Sequence, residues 1–200
     1  MKIVLTGGPC GGKTGAKPVI KEYFENKGYI CLFVPETATI LINGGINAEN
    51  CGQKEFQRAL FSIQLANEKA FDRIEKIIKK SGKKVITFCD RGALDGKSYL
   101  NDADFNDIIA DFGKTEGELL STYNAVFHLE TVAKGDYNLY TTDNNSARTE
   151  TADEAILLDN RTKEVWSKHK YFRVIENCCS YDLKLKKLIA EIEHLLNGNK

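Results

Sequence analysis

Neither sign of charge prevails in the chain, where 28 Lys and Arg face 28 Asp and Glu. No overall field would therefore hold it on nucleic acid or on an anionic membrane. Runs of about eighteen apolar residues are also missing, so no transmembrane segment is expected. The opening MKIVLTG has neither the basic start nor the long apolar stretch of a secretory signal. The six cysteines, Cys10, Cys31, Cys51, Cys89, Cys178 and Cys179, form no C-x-x-C pair and follow no regular spacing. Two of them fall in expected strands, and the pattern fits reduced thiols in a cytoplasmic protein. There is no internal repeat, low-complexity tract or interdomain linker. A zinc-ligand set, a nucleophile triad and an interleaved basic and aromatic nucleic-acid patch are missing as well.

What is present suits one domain. A chain of 200 residues, 42% of them apolar, can bury about 70% of its unfolded surface in a single core. Short β-branched and aromatic runs read as strands at Lys2 to Thr6, Tyr29 to Val34, Lys84 to Cys89, Ala125 to Glu130 and Phe172 to Glu176. Most lack alternation, as a parallel sheet covered on both faces requires. Phe56, Leu60, Ile63, Ala70, Ile74 and Ile77 recur at helical intervals and mark a long helix from about Gln53 to Lys80, with that stripe expected against the sheet. Thr151 and Glu154 form a T-x-x-E capping box that opens another helix, and a last one begins near Ser180. Strands alternating with helices give an α/β fold, a three-layer doubly wound parallel five-stranded sheet. Two polar segments, Thr37 to Gly52 and Ala133 to Glu150, follow strands where ligand-covering loops occur. The expected organisation is a single nucleotide-binding domain over 1–200, with a substrate insertion at about 37–60 and a lid at about 133–165.

The stretch Gly7-Gly8-Pro9-Cys10-Gly11-Gly12-Lys13-Thr14 satisfies the phosphate-loop pattern G-x-x-x-x-G-K-[ST] between an expected strand and an expected helix. Backbone N–H groups of Gly8, Cys10, Gly11 and Gly12, in a loop that also contains Pro9, can point at phosphate oxygens, and the helix N-terminus adds partial positive charge. Lys13 would reach the β- and γ-phosphates and the Thr14 hydroxyl would ligate Mg²⁺. Asp90 ends the strand VITFCD, where a carboxylate can hold Mg²⁺ or its water, or simply begin a turn. Arg91 can bind a substrate hydroxyl or phosphate, or form an ordinary surface ion pair. Glu36, just past the second strand, is a candidate general base at the same sheet edge. Gln57 and Gln64 can hydrogen-bond a substrate, although a solvated helix flank is the plainer expectation. Arg148 and Arg161 flank and enter the capped helix, where a closing lid would bring charge to a transferring phosphoryl group, with Asp159 orienting one of them. Trp166 and His169 read as packing residues, and base recognition is expected in late loops around Asn177 and Cys178.

These residues resemble the AAA-type P-loop domain shared by NadR-like nicotinamide riboside kinases and TRP-channel translocation-defect proteins. The resemblance rests on LTGGPCGGKT, VPETATILINGG, EFQRALFSIQLANEKA, VITFCDRGALD, ARTETADEAILLDNRTKEVWSKH and VIEN, and covers almost the whole chain. It implies a nucleoside- and nucleotide-kinase-like fold with strand order 2-3-1-4-5 and a site for ATP or GTP with Mg²⁺. Deoxynucleoside kinases place a Glu after strand two and an acidic-Arg pair after strand three, similar to Glu36 and Asp90-Arg91. One branch of the family phosphorylates small acceptors; the other implies nucleotide-dependent regulators with a phosphoinositide or protein partner. The chain departs from the family after Thr14, where Gly15-Ala16-Lys17-Pro18 replaces a second Ser or Thr and a leucine-containing helix. Gly15 costs a helix about 1 kcal/mol and an interior proline about 3. A kink or an irregular start is expected there. The leading expectation is a kinase acting on a small nucleoside-like or nucleotide-like acceptor, with Glu36 or Asp90 deprotonating it.

Overall fold

The apolar strand sequences assemble as their lack of alternation demands, into a sheet that is buried on both faces. The computed structural model describes residues 1–135, 140 and 151–198. Five parallel strands, β1 (Lys2–Thr6), β2 (Tyr29–Val34), β3 (Lys84–Asp90), β4 (Ala125–Leu129) and β5 (Phe172–Ile175), lie in the order β2-β3-β1-β4-β5. Ile3 and Leu5 of β1 face one layer, formed by Ile20 and Phe24 of α1 (Lys13–Asn26) and Leu188 and Ile192 of α8 (Tyr181–Gly198). Val4 faces the other, formed by Phe61 of α4 (Gln53–Lys80), Phe105 of α5 (Asp102–Asp111), Leu119 of α6 (Glu116–Ser121) and Trp166 of α7 (Ala152–Trp166). The two-residue period of a strand thus builds a three-layer α/β fold. Two short helices, α2 (Thr37–Asn43) and α3 (Ala48–Cys51), occupy the connection between β2 and α4. Parallel strands put all their carboxyl ends at one edge, which is where β1 and β3 deliver the phosphate loop and Asp90.

The long helix has the expected bounds but not the expected face. Ile74 and Ile77 are 49% and 56% exposed, while Gln57, Gln64, Glu68 and Glu75 are buried beside Phe56 and Phe61. Polar groups on the sheet side account for the inversion. Lys2 Nζ donates to Glu68 at 3.1 Å, the Tyr123 hydroxyl donates to Glu68 at 2.7 Å, and Thr87 Oγ1 donates to Glu75 at 2.6 Å. The polar flank is the core face because its partners are already there. Gln57 and Gln64 are therefore not on a solvated flank.

Helix α1 runs unbroken through Pro18. Its start is left-handed at Gly12, φ 89°, without a side-chain cap. Pro18 has no N–H for the Thr14 carbonyl. Ala16, Ile20 and Phe24, spaced one turn apart, are completely buried on the sheet. Burying an Ile and a Phe stabilises by roughly 1.5–3 kcal/mol each, together enough to match or exceed the roughly 3 kcal/mol that the proline costs. Packing decides the contest. Gly15 also has a packing role: a Cβ there would stand 2.7 Å from the Tyr181 hydroxyl oxygen. Thr151 and Glu154 form the expected capping box of α7, and Trp166 and His169 are buried packing residues, His169 Nε2 lying 3.0 Å from the Tyr123 carbonyl.

Candidate functional site

The loop between β1 and α1 alternates backbone handedness, with positive φ at Gly7 (130°), Cys10 (55°) and Gly12 (89°). Such alternation turns successive amides inward and makes a cradle for anions. Gly7 and Gly11 lie against the end of β4, so close that a Cβ would fall 2.1 and 2.5 Å from the Leu129 carbonyl oxygen. Only glycine fits either place. Side chains from elsewhere fix the remaining shape. Thr131 Oγ1 donates to the Pro9 carbonyl at 2.5 Å, the Tyr181 hydroxyl to Gly12 at 2.6 Å, and Lys184 Nζ to Gly11 at 3.1 Å.

Asp159 completes this bracing from α7. Its Oδ1 accepts from the Gly8 and Thr131 amides at 2.8 and 3.1 Å, and its Oδ2 from Lys134 Nζ at 2.6 Å. His128 Nε2 lies 3.0 Å from Oδ1, an ion pair only when the imidazole is protonated, and is not aligned as a hydrogen bond. Burial would raise the carboxyl, yet His128, Lys134 and the Gly8 amide hold it well below the usual carboxylate range. Asp159 thus shapes the phosphate loop and does not orient Arg161. That arginine is exposed, one turn beyond Leu157 and Leu158, which line the site, and has no ion pair among the described residues. Arg148 lies outside the described residues.

Lys13 is buried and donates to the Gly7 and Gly8 carbonyls at 3.0 and 2.9 Å. Burial, reinforced by the charge of Arg91, lowers its ammonium to about 8, against the opposing pull of Asp90, Glu36 and Asp95. Lys184 is likewise lowered to about 8 by burial. At the end of β3, Asp90 is 4% exposed; Lys17 Nζ donates to its Oδ2 at 2.5 Å and its Oδ1 is buried without a partner. Asp90, with its orphaned carboxylate oxygen, and the exposed Thr14 line one cleft, and a carboxylate with a hydroxyl is a donor set that fits Mg²⁺, which keeps most of its waters. Among the described residues no group of three or more His, Cys, Asp and Glu could hold a metal unaided.

Arg91 adopts φ 70°, left-handed for a non-glycine residue. Its Nε donates to Glu36 Oε1 at 3.1 Å and its Nη1 to the Gly7 carbonyl and Asp95 Oδ1 at 3.3 and 3.4 Å. This is a partly buried network and not a surface ion pair. Burial would raise Glu36, but the charges of Arg91 and Lys13 hold it at about 2. Arg91 in turn is raised well above its ordinary value, because Tyr99, Glu36 and Asp95 outweigh burial. Gln64 is occupied: its Oε1 accepts from Thr37 at 2.6 Å, and its Nε2 donates to Glu68 and to the Arg91 carbonyl at 2.8 and 3.2 Å. Gln57 lines the cleft, and its side chain makes no hydrogen bond among the described residues.

A cleft of about 1860 Å³ joins these parts, from Pro9 to Thr14 at one end to Gln57, Phe61 and Phe105 at the other. Pockets for one drug-sized ligand measure roughly 300–1,000 Å³, so this one has room for two. Its third wall is formed by Asn177 to Tyr181 and Lys184. Asn177 spends its side chain on Thr131 and Lys184 and is a brace. The sequence reading missed Lys17, Thr131, Tyr181 and Lys184. Lys17 carried a signal, four residues past Lys13 and hence on the same helical face; the others lie too far along the chain for any local pattern to flag.

Solved structures with this fold include two of a deoxyadenosine kinase from M. mycoides. One, with bound dATP, has 16% identity and TM-score 0.57, over 96% of this chain and all of that one; the other, with dCMP and dCDP, has 17% and 0.58 over the whole of both. A thymidylate kinase from Ehrlichia chaffeensis has 15% identity and TM-score 0.58, over 98% of each chain. No curated protein sequence matches. Residues 2–182 match the model of a family described as an AAA domain. With nearly the whole P-loop, nucleotide-kinase-like fold inside that match, the chain belongs to this AAA-domain family.

Proposed function

We propose that the protein is a P-loop phosphotransferase that moves the γ-phosphate of ATP or GTP, with Mg²⁺, onto a hydroxyl of a small nucleoside-like or nucleotide-like acceptor. The observation that carries this reading is one cleft running from the phosphate loop to the Glu36–Arg91 pair, large enough for donor and acceptor together. Gly8 to Thr14 hold the triphosphate, Lys13 faces its β- and γ-groups, and Thr14 and Asp90 hold the metal. The ion, when bound, neutralises charge on the phosphates. Arg91 orients the acceptor beside Glu36, and Gln57 is free to bond it. The acceptor oxygen forms the new bond to phosphorus as the bond to the bridging oxygen breaks, and its proton passes to Glu36 or Asp90. Arg161 and Arg148, in a lid over residues 133–165, add charge on closure, and segment 37–60 forms the acceptor wall.

The test is a panel of nucleosides, nicotinamide riboside and nucleoside monophosphates assayed for ATP-dependent phosphorylation. Acceptor-dependent turnover is expected. Nucleotide binding without turnover across the panel would overturn the proposal. A second reading, a nucleotide-dependent regulator of a protein or phosphoinositide partner, is favoured by one observation: Glu36 is already paired with Arg91 at 3.1 Å, which holds its carboxyl low and makes it a weak base. It requires partner affinity to differ between di- and triphosphate states, and equal affinity in both would exclude it.

A further inference from the structure

The segment after Thr14 departs from phosphate-loop expectation, and its Lys17 holds the carboxylate assigned above to the metal. Lys17 is three residues after Thr14 and four after Lys13, so all three side chains emerge from one side of α1. Across the sheet edge, Leu5 and Asp90 are register partners, which brings the end of β3 beside the phosphate loop. Lys17 Nζ meets Asp90 Oδ2 at 2.5 Å, and the carboxylate is almost wholly buried while the lysine is partly exposed. Asp90 Oδ1 remains buried without a partner. The carboxylate thus has one oxygen neutralised by a fixed ammonium and one oxygen held ready.

We propose that Lys17 is the resident counter-cation of Asp90, a positioning residue that keeps a free divalent ion out of the site and admits it only together with a triphosphate. An ammonium beside the carboxylate repels an incoming dication, so Asp90 alone is a poor metal site. A triphosphate carries enough negative charge to reverse that balance, and Asp90 Oδ1 is the oxygen that would receive the ion. The metal site is completed by the nucleotide. This inference rests on the reading of Thr14 and Asp90 as metal ligands, and it makes donor binding ordered: nucleotide-metal complex, not metal first.

The test is Mn²⁺ titration followed by electron paramagnetic resonance on the full chain. Without nucleotide, wild type is expected to show no stoichiometric site, and a non-hydrolysable triphosphate is expected to create one. Lys17→Met is expected to bind one Mn²⁺ without nucleotide at least about tenfold more tightly than wild type, a change of about 1.4 kcal/mol. Lys17→Arg should behave as wild type, and adding Asp90→Asn to Lys17→Met should remove the gained site. Equal Mn²⁺ affinity in wild type and Lys17→Met, or a stoichiometric site in nucleotide-free wild type, overturns the proposal. If Lys17→Met does not fold, Lys17→Gln carries the same comparison, and a stoichiometric site in nucleotide-free wild type still overturns the proposal. A parallel titration with a fluorescent triphosphate separates the two readings: triphosphate binding together with equal nucleotide-free Mn²⁺ affinity in wild type and Lys17→Met defeats this inference and spares the proposed function, whereas no triphosphate binding defeats the function.

Discussion

At the phosphate end of the cleft, side chains hold backbone atoms: Asp159 grips the Gly8 amide, Thr131 the Pro9 carbonyl, Lys184 and Tyr181 the carbonyls of Gly11 and Gly12. At the other end, the acceptor end of the proposed function, side chains mainly hold side chains: Glu36 and Asp95 take Arg91, and Glu68 takes Gln64 and Tyr123, which in turn bond the Arg91 carbonyl and the Ala93 amide. The first arrangement fixes the shape of the loop that, under the proposed function, receives the triphosphate. The second fixes the positions of a few charged groups, and every charge in it depends on another. A fault at the first end should therefore act through steric strain, and a fault at the second through an unpaired buried charge.

The largest expected effect strikes the acceptor end. Glu68→Ala leaves Lys2 with Asp72 as its one carboxylate partner among the described residues and strips Tyr123 and Gln64 of their shared acceptor. Removing one member of a buried charged cluster costs about 3–5 kcal/mol, so the urea midpoint should fall steeply. A loss below about 1 kcal/mol would show that the network does not organise this end. At the other end, Gly7→Ala drives a Cβ into the Leu129 carbonyl at a positive φ. Backbone strain of about 1–3 kcal/mol is expected to appear mainly as lost nucleotide affinity, up to about a hundredfold by calorimetry. Binding within threefold of wild type would mean that the loop can reshape freely.

The two lysines of the phosphate end give a pH test. Lys13 and Lys184 sit at about 8 in the folded chain against an ordinary 10.5. Between those values the unfolded chain binds more protons, so stability rises with pH, by up to about 1.4 kcal/mol per unit for each lysine. Nucleotide affinity should move the opposite way, because the triphosphate needs Lys13 charged. Lys13→Met should flatten part of the stability rise in urea titrations at stepped pH, relative to wild type. A parallel pair of curves would refute the assignment of Lys13. Smaller again is Tyr181→Phe, which removes one hydrogen bond to Gly12, worth about 1 kcal/mol, and should weaken nucleotide binding about fivefold by the same calorimetry.

The same contrast explains what the sequence made legible. Gly7 to Thr14 carry a local signature because shape is set by glycines in a row, and β1 through β5 were readable because a doubly covered sheet needs continuous apolar strands. Glu36, Asp90 and Arg91 were placed by their positions after strands. The face of α4 was misread because an apolar stripe through Ile74 and Ile77 looks like a core face, and only the distant Lys2, Thr87 and Tyr123 make the polar stripe the buried one. Tyr181 and Lys184 lie 169 and 173 residues from the glycines they hold, so no window around the phosphate loop contains them.

The smallest effect belongs to Arg161, and it separates two neighbours on one helix. Asp159 and Arg161 are two residues apart, so they point about 200° apart on α7. Asp159 is fully buried on the phosphate loop, and Arg161 is exposed. Arg161→Ala should change stability by less than about 0.5 kcal/mol and leave nucleotide affinity within about twofold, whereas Asp159→Ala should lower both. Under the proposed function Arg161 meets charge only when the lid closes on transferring phosphate, so its loss should lower kcat with KM for nucleotide unchanged. A tenfold loss of affinity in Arg161→Ala would place the arginine on the bound triphosphate before transfer, and the phosphate end would then rest on a mobile side chain as well as on its fixed braces.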